Sequence, residues 1–346
     1  HLVRAQNFVW GGVIILEHNI WIYAEHKNGK VVESYYELLT KAQEVVKASP
    51  EKQKIAAVTL GSGQDVVIEE LKTSGADIVY AVDHEKLSQY NPEYYPLALS
   101  ELAKKYQPLM FWVAASHEGA EIAPSVAGQL KTGLAAHCVD IYYGEKGEMV
   151  HLVPAFGGKV LSEILIPDRR PMMASVKPGI FRKGEITVPG TADVIEEYAT
   201  VLDAYESRIR LIGEEALPAV GKDVEKADIV ISGGLGIGDM ETWEKTKKLA
   251  DAIGAAVGYT RPVIDIELET TEENMIGASG KSVRPKLYMA FGISGASHHV
   301  CGMKDSGTII SVNRDEKAEI FKVSDYKVVA DCNSILDALL TELGVS

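Results

Sequence analysis

The stretch Leu287-Tyr288-Met289-Ala290-Phe291-Gly292-Ile293-Ser294-Gly295-Ala296-Ser297-His298-His299 decides how the C-terminal part of the chain is read. Its first five residues form a short apolar run bounded by glycine, the pattern of a strand buried on both faces. Gly292 and Gly295 break the run, and helical spacing follows from Ala296 to Met303. Strand, glycine turn and helix in that order make up half of a parallel βαβ unit. A helix start carries unpaired N–H groups and the positive end of the helix dipole, and so favours phosphate. Glycine lets the backbone come close to such an anion. The same glycines would serve a βα turn without a ligand, and the residues alone leave both readings open.

The pattern repeats on either side. Ala227 to Ser232, Ala256 to Tyr259, Thr308 to Val312 and Lys327 to Ala330 read as strands. Glu241 to Ile253 and Ser334 to Leu343 read as helices, which together predict a doubly wound α/β domain. The loop Gly233-Gly234-Leu235-Gly236-Ile237-Gly238 is a second phosphate candidate. Its third glycine comes too soon for G-x-G-x-x-G, which favours ordinary turn glycines. Arg261, between an apolar strand and Pro262, is placed either to meet a phosphate or a charged ring, or to form a surface ion pair. The loop Ile276-Gly277-Ala278-Ser279-Gly280-Lys281 ends like a P-loop, but Met275 stands where the first glycine would be, so ATP hydrolysis is not supported. His298 and His299 would point about 100° apart on a helix, a poor arrangement for ligating one ion.

The N-terminal part also alternates. Ile20 to Ala24, Lys54 to Leu60, Ala76 to Val82 and Pro108 to Ala115 read as strands. Ser34 to Ala48, Val66 to Thr73, Pro96 to Lys105 and Glu121 to Leu130 read as helices, again predicting a parallel sheet. Four short runs follow: Asp140 to Tyr143, Glu148 to Pro154, Lys159 to Ile166 and Met172 to Lys177. They are expected to extend the first sheet in antiparallel or mixed fashion. Residues 182–212, polar and rich in carboxylates, are expected to be a linker. No spacing in this half makes a nucleophile triad or a paired-carboxylate site.

The bulk numbers narrow the function. The 346 residues are 46% apolar and carry a formal charge of -14, which disfavours nucleic acid and anionic membrane surfaces as partners. Cys138, Cys301 and Cys332 form no CxxC pair, so neither a disulfide framework nor an iron–sulfur site is expected and a reducing, cytoplasmic setting is the simple reading. No apolar run reaches the roughly 18 residues of a membrane span. Residues 1–19 read as an extension of unassigned role.

The residues from Leu287 to Ala296, with His299, Gly302 to Ser306 and Ile310 to Asn313, resemble the FAD signature of the electron transfer flavoprotein alpha subunit. Asp325-Tyr326 and Val328 to Asp331 extend the likeness. Thr132 to Leu134, Pro154-Ala155-Phe156-Gly157-Gly158 and Arg170 to Gly179 are similar to the anaerobe and nitrogen-fixation-associated branch of that family. The resemblance runs from about Ile20 to the C-terminus. It implies an N-terminal nucleotide-hydrolase-like, Rossmann-like domain at residues 20–205 that contacts a beta subunit. It also implies a doubly wound FAD-binding domain at 206–346, with the linker as hinge.

By the same resemblance, Arg261 stacks near the flavin ring close to N5 and the Ser279 hydroxyl bonds N5. Thr260, Ile276, Gly277 and Ala278 line the ring. His299 faces the C2 carbonyl and N1 edge. Ser294, Gly295, Ala296, Ser297 and His298 form the cradle from pyrophosphate to ring, and Asn313, Asp331 and Cys332 hold the adenosine side. Reduced flavin gathers negative charge at N1 and O2, so a cation such as Arg261 or a protonated His299 would raise its potential. The chain departs from the family pattern at Leu235, where arginine is usual, at His298, where glutamine is common, and at Thr260, where serine is common.

The implied function is electron carriage between a flavoprotein dehydrogenase, such as an acyl-CoA dehydrogenase, and a redox partner, with oxidoreductase activity only inside a complex. One alternative is a subunit of a flavin-based electron-bifurcating complex that joins NADH, ferredoxin and a dehydrogenase. The other is a nucleotide-binding protein without redox function, which would follow from the fold alone.

Overall fold

The computed structural model describes residues 19–155, 160–184, 190–213 and 221–345. Residues 1–18 of the expected extension, the glycine motif at 156–159, Pro189 and the segment 214–220 lie outside the described residues, while Asn19 opens a buried strand rather than ending an extension. The described residues divide into two compact α/β units, 19–213 and 221–345.

The first unit is built on a seven-stranded sheet in the order Asp193–Tyr198, Ile78–Asp83, Lys54–Gly61, Asn19–Tyr23, Met110–Ala114, Met172–Val176, Leu134–Ala135. Every pairing in it is parallel. Alternation along the central strand divides the core. Ile20 and Ile22 pack with Tyr35, Leu38 and Ala42 of helix Glu33–Ala48 on one face. Trp21 and Tyr23 pack on the other with Leu99 of helix Tyr94–Tyr106 and Ile122 and Val126 of helix His117–Leu130. Both faces are covered, which is why these strands read as unbroken apolar runs.

Two expectations are corrected here. Met172–Val176 joins the first sheet, as expected, but not in antiparallel fashion. It pairs parallel with Met110–Ala114 and Leu134–Ala135, and all five of its residues are buried. The other three runs, Asp140–Tyr143, Met149–Ala155 and Val160–Ile164, form their own antiparallel sheet rather than an extension of the first. Within the expected linker, Asp193–Tyr198 is an edge strand of the main sheet, parallel to Ile78–Asp83. Its carboxylates hid it: an edge strand tolerates charge on its open side, and Glu197 takes hydrogen bonds from Lys105 at 2.7 Å and from the Tyr106 hydroxyl. The residues that follow stay on this unit. The Ser207 hydroxyl and the Arg208 guanidinium both donate to Glu93, at 2.8 and 2.6 Å.

The second unit is a five-stranded parallel sheet in the order Ala256–Tyr259, Ile229–Gly233, Leu287–Phe291, Thr308–Asn313, Tyr326–Val329. Helix Met240–Ile253 is capped by the Asp239 side chain at its start and by the left-handed Gly254 at its end. It packs against helix Cys332–Glu342 on one face of the sheet, over Ile231, Phe291 and Val312. Tyr288, Ile309, Ile320 and Phe321 fill the other face. The chain starts this sheet at Ile229–Gly233, adds a strand on one side, then crosses to the other. The order therefore reverses between Ile229–Gly233 and Leu287–Phe291, the place where open α/β sheets take ligands.

Candidate functional site

A cavity of about 620 Å³ opens at this reversal point, off the carboxyl ends of the strands. Four segments wall it: Leu235 and Gly236, Thr260 to Pro262, Met275 to Ser279, and Gly292 to His299 without Gly295 and Ser297. Asn313, Asp315 and Lys317 to Glu319 close it on the remaining side. Thr260, Arg261, Ile276, Gly277, Ala278, Ser279, Ser294, Ala296, His298, His299 and Asn313 thus share one space. Gly295, Ser297, Asp331 and Cys332 do not line it. The Asp331 carboxylate caps the last helix by accepting from the Ser334 amide at 3.0 Å, and it pairs with Arg314. Cys332 is buried in the core, and burial pushes its thiol up to about 11.

The two glycine loops have different characters. Gly234 donates its amide to Phe291 O and Gly236 to Gly292 O, both at 2.9 Å. A Cβ on Gly234 would meet Gly292 O at 2.5 Å. These glycines let one loop lie on the next, and their amides are already engaged, so the first loop is a packing turn. In the second loop the amides from Ser294 to Ser297 meet no backbone acceptor among the described residues. Asn313 fastens this loop by donating to Ile293 O at 2.8 Å, and the Ile320 amide donates to Ser294 O at 3.0 Å. A run of N–H groups without backbone partners at a glycine turn is what a phosphate requires.

The loop Met275–Lys281 is tied back on itself. The Lys281 amide donates to Met275 O at 2.8 Å and the Gly277 amide to Lys281 O at 3.0 Å. The Ala278 amide donates to His298 O at 2.7 Å, which joins this loop to the second glycine loop and leaves Ser279 exposed at the rim. The expected helix from Ala296 to Met303 is regular only over Ser297–Val300, then continues as turns.

The two histidines part company, His298 exposed and His299 buried. His299 Nδ1 lies 3.0 Å from Ile276 O and Nε2 lies 2.9 Å from the Tyr288 hydroxyl. Burial lowers its pKa to about 4. The protonated His299 entertained from the sequence is therefore replaced by a neutral ring at physiological pH. Arg261, more than half exposed, forms ion pairs with Asp265 at 3.4 Å and Glu272 at 3.3 Å. Lys317 lines the same cavity and has no carboxylate partner among the described residues. Sequence reasoning missed Met275 and the loop from Asp315 to Glu319. That loop is shaped by local turns, with the Asp315 amide on Asn313 Oδ1 and the Lys317 amide on Asp315 Oδ1, both 2.9 Å, and such turns carry no ligand signature.

A parallel α/β unit with a walled cavity at its reversal point and a row of free amides defines a nucleotide- or dinucleotide-binding protein. Comparison with known proteins identifies which. The profile described as "Electron transfer flavoprotein domain" matches residues 20–202, and that described as "Electron transfer flavoprotein FAD-binding domain" matches residues 223–304. The chain is 38% identical to the electron transfer flavoprotein subunit alpha of Thermoanaerobacterium thermosaccharolyticum, covering 94% of this chain and 97% of that one. It is 34% identical to protein FixB of Clostridium saccharobutylicum, covering 93% and 95%. It is 29% identical to the acryloyl-CoA reductase electron transfer subunit beta of Anaerotignum propionicum, covering 93% and 94%. The chain belongs to the electron transfer flavoprotein alpha-subunit family. It carries that family's FAD-binding domain, and its function is electron transfer.

Proposed function

We propose that the cavity off the second sheet is the FAD site, and that the chain works in a heterodimer with an electron transfer flavoprotein beta subunit. The observation that carries this is the position of the cavity: its walls up to His299 fall inside the matched FAD-binding region, at the sheet's reversal point. The residues fit the cofactor. The volume suits an extended dinucleotide, and the cradle of free amides from Ser294 to Ser297 suits its pyrophosphate.

On this reading Thr260, Arg261 and the loop Ile276–Ser279 hold the flavin ring, and the Ser279 hydroxyl and the Arg261 guanidinium meet its N5 side. Gly295 sets the turn of the cradle, and Ser294, Ala296, Ser297 and His298 carry it from pyrophosphate to ring. Asn313 braces the cradle. Asp331 and Cys332 act on the adenosine side from behind the wall, by fixing the start of the last helix. His299 packs at the ring's far edge as a neutral group. FAD, when bound, supplies the electron chemistry; the chain supplies orientation, exclusion of water and a positive potential from Arg261. No acid, base or nucleophile is needed of the protein.

The electron donor or acceptor is a flavoprotein dehydrogenase acting on an acyl-CoA or related substrate, a reading supported by the Anaerotignum propionicum relative, whose name assigns it to an acryloyl-CoA reductase. The test is a flavin count and absorbance spectrum on the co-purified alpha–beta complex. One FAD per heterodimer supports a carrier. Two would favour the electron-bifurcating reading and call for an assay of NADH oxidation coupled to ferredoxin reduction. A complex without flavin would sink the proposal.

A further inference from the structure

The first unit has a reversal point of its own. Its chain starts at Asn19–Tyr23, adds Lys54–Gly61 and Ile78–Asp83 on one side, then crosses to Met110–Ala114 on the other. A cavity of about 390 Å³ lies off the carboxyl ends of these strands, among the loops that follow them. Open α/β sheets take ligands at such a place, and the FAD reading makes no use of it.

Tyr23 stands in the wall of this cavity. It is 3% exposed, and its hydroxyl has no hydrogen-bond partner among the described residues. The two tyrosines beside it are satisfied: Tyr95 donates to Leu87 O at 3.0 Å and Tyr90 to Glu121 at 2.8 Å. A buried phenol without a partner is costly and uncommon, so the cavity is where its partner belongs. Burial, with Tyr95, Glu118, Glu25 and Tyr90 close by, holds its pKa well above the ordinary 10.0. The hydroxyl therefore keeps its hydrogen and can both donate and accept.

The walls define the chemistry of that partner. No lysine or arginine lines the cavity, whereas Glu118 does. In the glycine loop Gly61-Ser62-Gly63 the Gly63 amide already donates to Asp83 at 3.2 Å, and Asp65 stands in the first turn of the helix that follows. The anion place that such a loop offers is filled by the protein's own carboxylates. The remaining groups suit an uncharged ligand. Asn28 and Gln89 bring carboxamides that donate and accept at once, and the rings of Tyr90 and Tyr95, edge-on at 5.2 Å, form an aromatic flank. A carboxylate at a reversal point is the usual acceptor for ribose hydroxyls.

We propose that this cavity is a second ligand site, built for a nucleoside without phosphate, with the Tyr23 hydroxyl as its buried anchor. The site belongs to the first unit alone and does not depend on where FAD binds.

The test uses the alpha–beta heterodimer, labelled with ¹³Cζ-tyrosine and titrated with adenosine or AMP. The Tyr23 and Tyr95 signals are assigned by their absence in Tyr23→Phe and Tyr95→Phe. Adenosine is expected to move the Tyr23 signal saturably. AMP is expected to need a concentration roughly tenfold higher or more, since its charge meets a carboxylate and no cation. A Tyr23 signal that ignores adenosine, or answers AMP equally, overturns the proposal. In Tyr23→Phe, followed by the Tyr95 signal, adenosine is expected to bind roughly fivefold more weakly, the effect of one lost hydrogen bond. The unfolding midpoint of the first unit is expected not to fall in this variant, because no internal hydrogen bond is removed. An unchanged affinity, or a lowered midpoint, would show that the hydroxyl serves the fold and not a ligand.

Discussion

At the scale of single residues, the cavity is held open by atoms that are missing and by a charge left without a carboxylate partner. Gly295 has φ +89, and a Cβ there would stand 2.0 Å from the Ile320 amide nitrogen. An alanine would take on left-handed strain of about 1–3 kcal/mol and drive the Asp315–Glu319 side of the cavity away from the cradle. Gly295→Ala is therefore expected to lower the unfolding midpoint of the C-terminal unit and to weaken FAD binding together. Calorimetry showing an unmoved transition would contradict this close approach. Lys317 makes a different case. Arg261 already has two carboxylates beside it, so the ammonium of Lys317 is the cation left for a dianionic pyrophosphate. Lys317→Gln is expected to raise the FAD dissociation constant by roughly tenfold or less, the equivalent of about 1.4 kcal/mol. The salt dependence of binding should become shallower, since a screened attraction has been removed. Equal affinities and equal slopes in a fluorescence titration would exclude that role. Neither residue 315 nor 317 stood out in the sequence, because an ordinary lysine in an ordinary turn acquires meaning only from the wall it faces.

At the scale of elements, Met172–Val176 shows both what the chain encodes and what it conceals. Its five buried residues place it inside the seven-stranded sheet, where Met173 is fully enclosed. Met173→Ala is expected to cost roughly 2–5 kcal/mol of stability in the N-terminal unit. A peripheral hairpin strand would lose far less, so denaturant unfolding separates the two placements. The apolar run and the sheet it joins were visible, but its parallel place between Met110–Ala114 and Leu134–Ala135 was not, because the intervening strands Asp140–Tyr143, Met149–Ala155 and Val160–Ile164 leave to form a separate sheet. Strand pairing across such an excursion is a long-range property. Asp193–Tyr198 is the reverse case, a real strand hidden under edge carboxylates. The second sheet was legible throughout, since its central strands are short apolar runs, two of which, Ile229–Gly233 and Leu287–Phe291, close at glycines. Its reversal point follows from strand order, and with it the place of the site. The turn role of the first glycine loop was favoured by its spacing, whereas the open character of the second was not settled by the residues. The hydrogen bonds of Gly234 and Gly236 to the neighbouring loop separate the packing turn from the open cradle.

At the scale of the whole molecule, a histidine kept neutral by burial links stability to pH. The usual value for His299 is 6.5, and in the folded chain it falls to about 4. Between those values the unfolded chain binds a proton that the native chain refuses, so native stability rises with pH across this window. The contribution is fully present above pH 6.5, declines as pH falls, and is gone once pH passes about 4. Its size is of order 3 kcal/mol, since each tenfold loss of proton affinity is worth about 1.4 kcal/mol. Because the two units need not melt together, the quantity to follow is the transition of the C-terminal unit, identified by its response to added FAD. That transition is expected to move down between pH 7 and pH 5 in the wild type, and to move less in His299→Gln, whose side chain cannot take up the proton. The difference should persist without cofactor, since the burial of His299 belongs to the protein alone. If the two proteins trace parallel curves over this range, the acid sensitivity lies elsewhere and His299 is not held neutral by the fold.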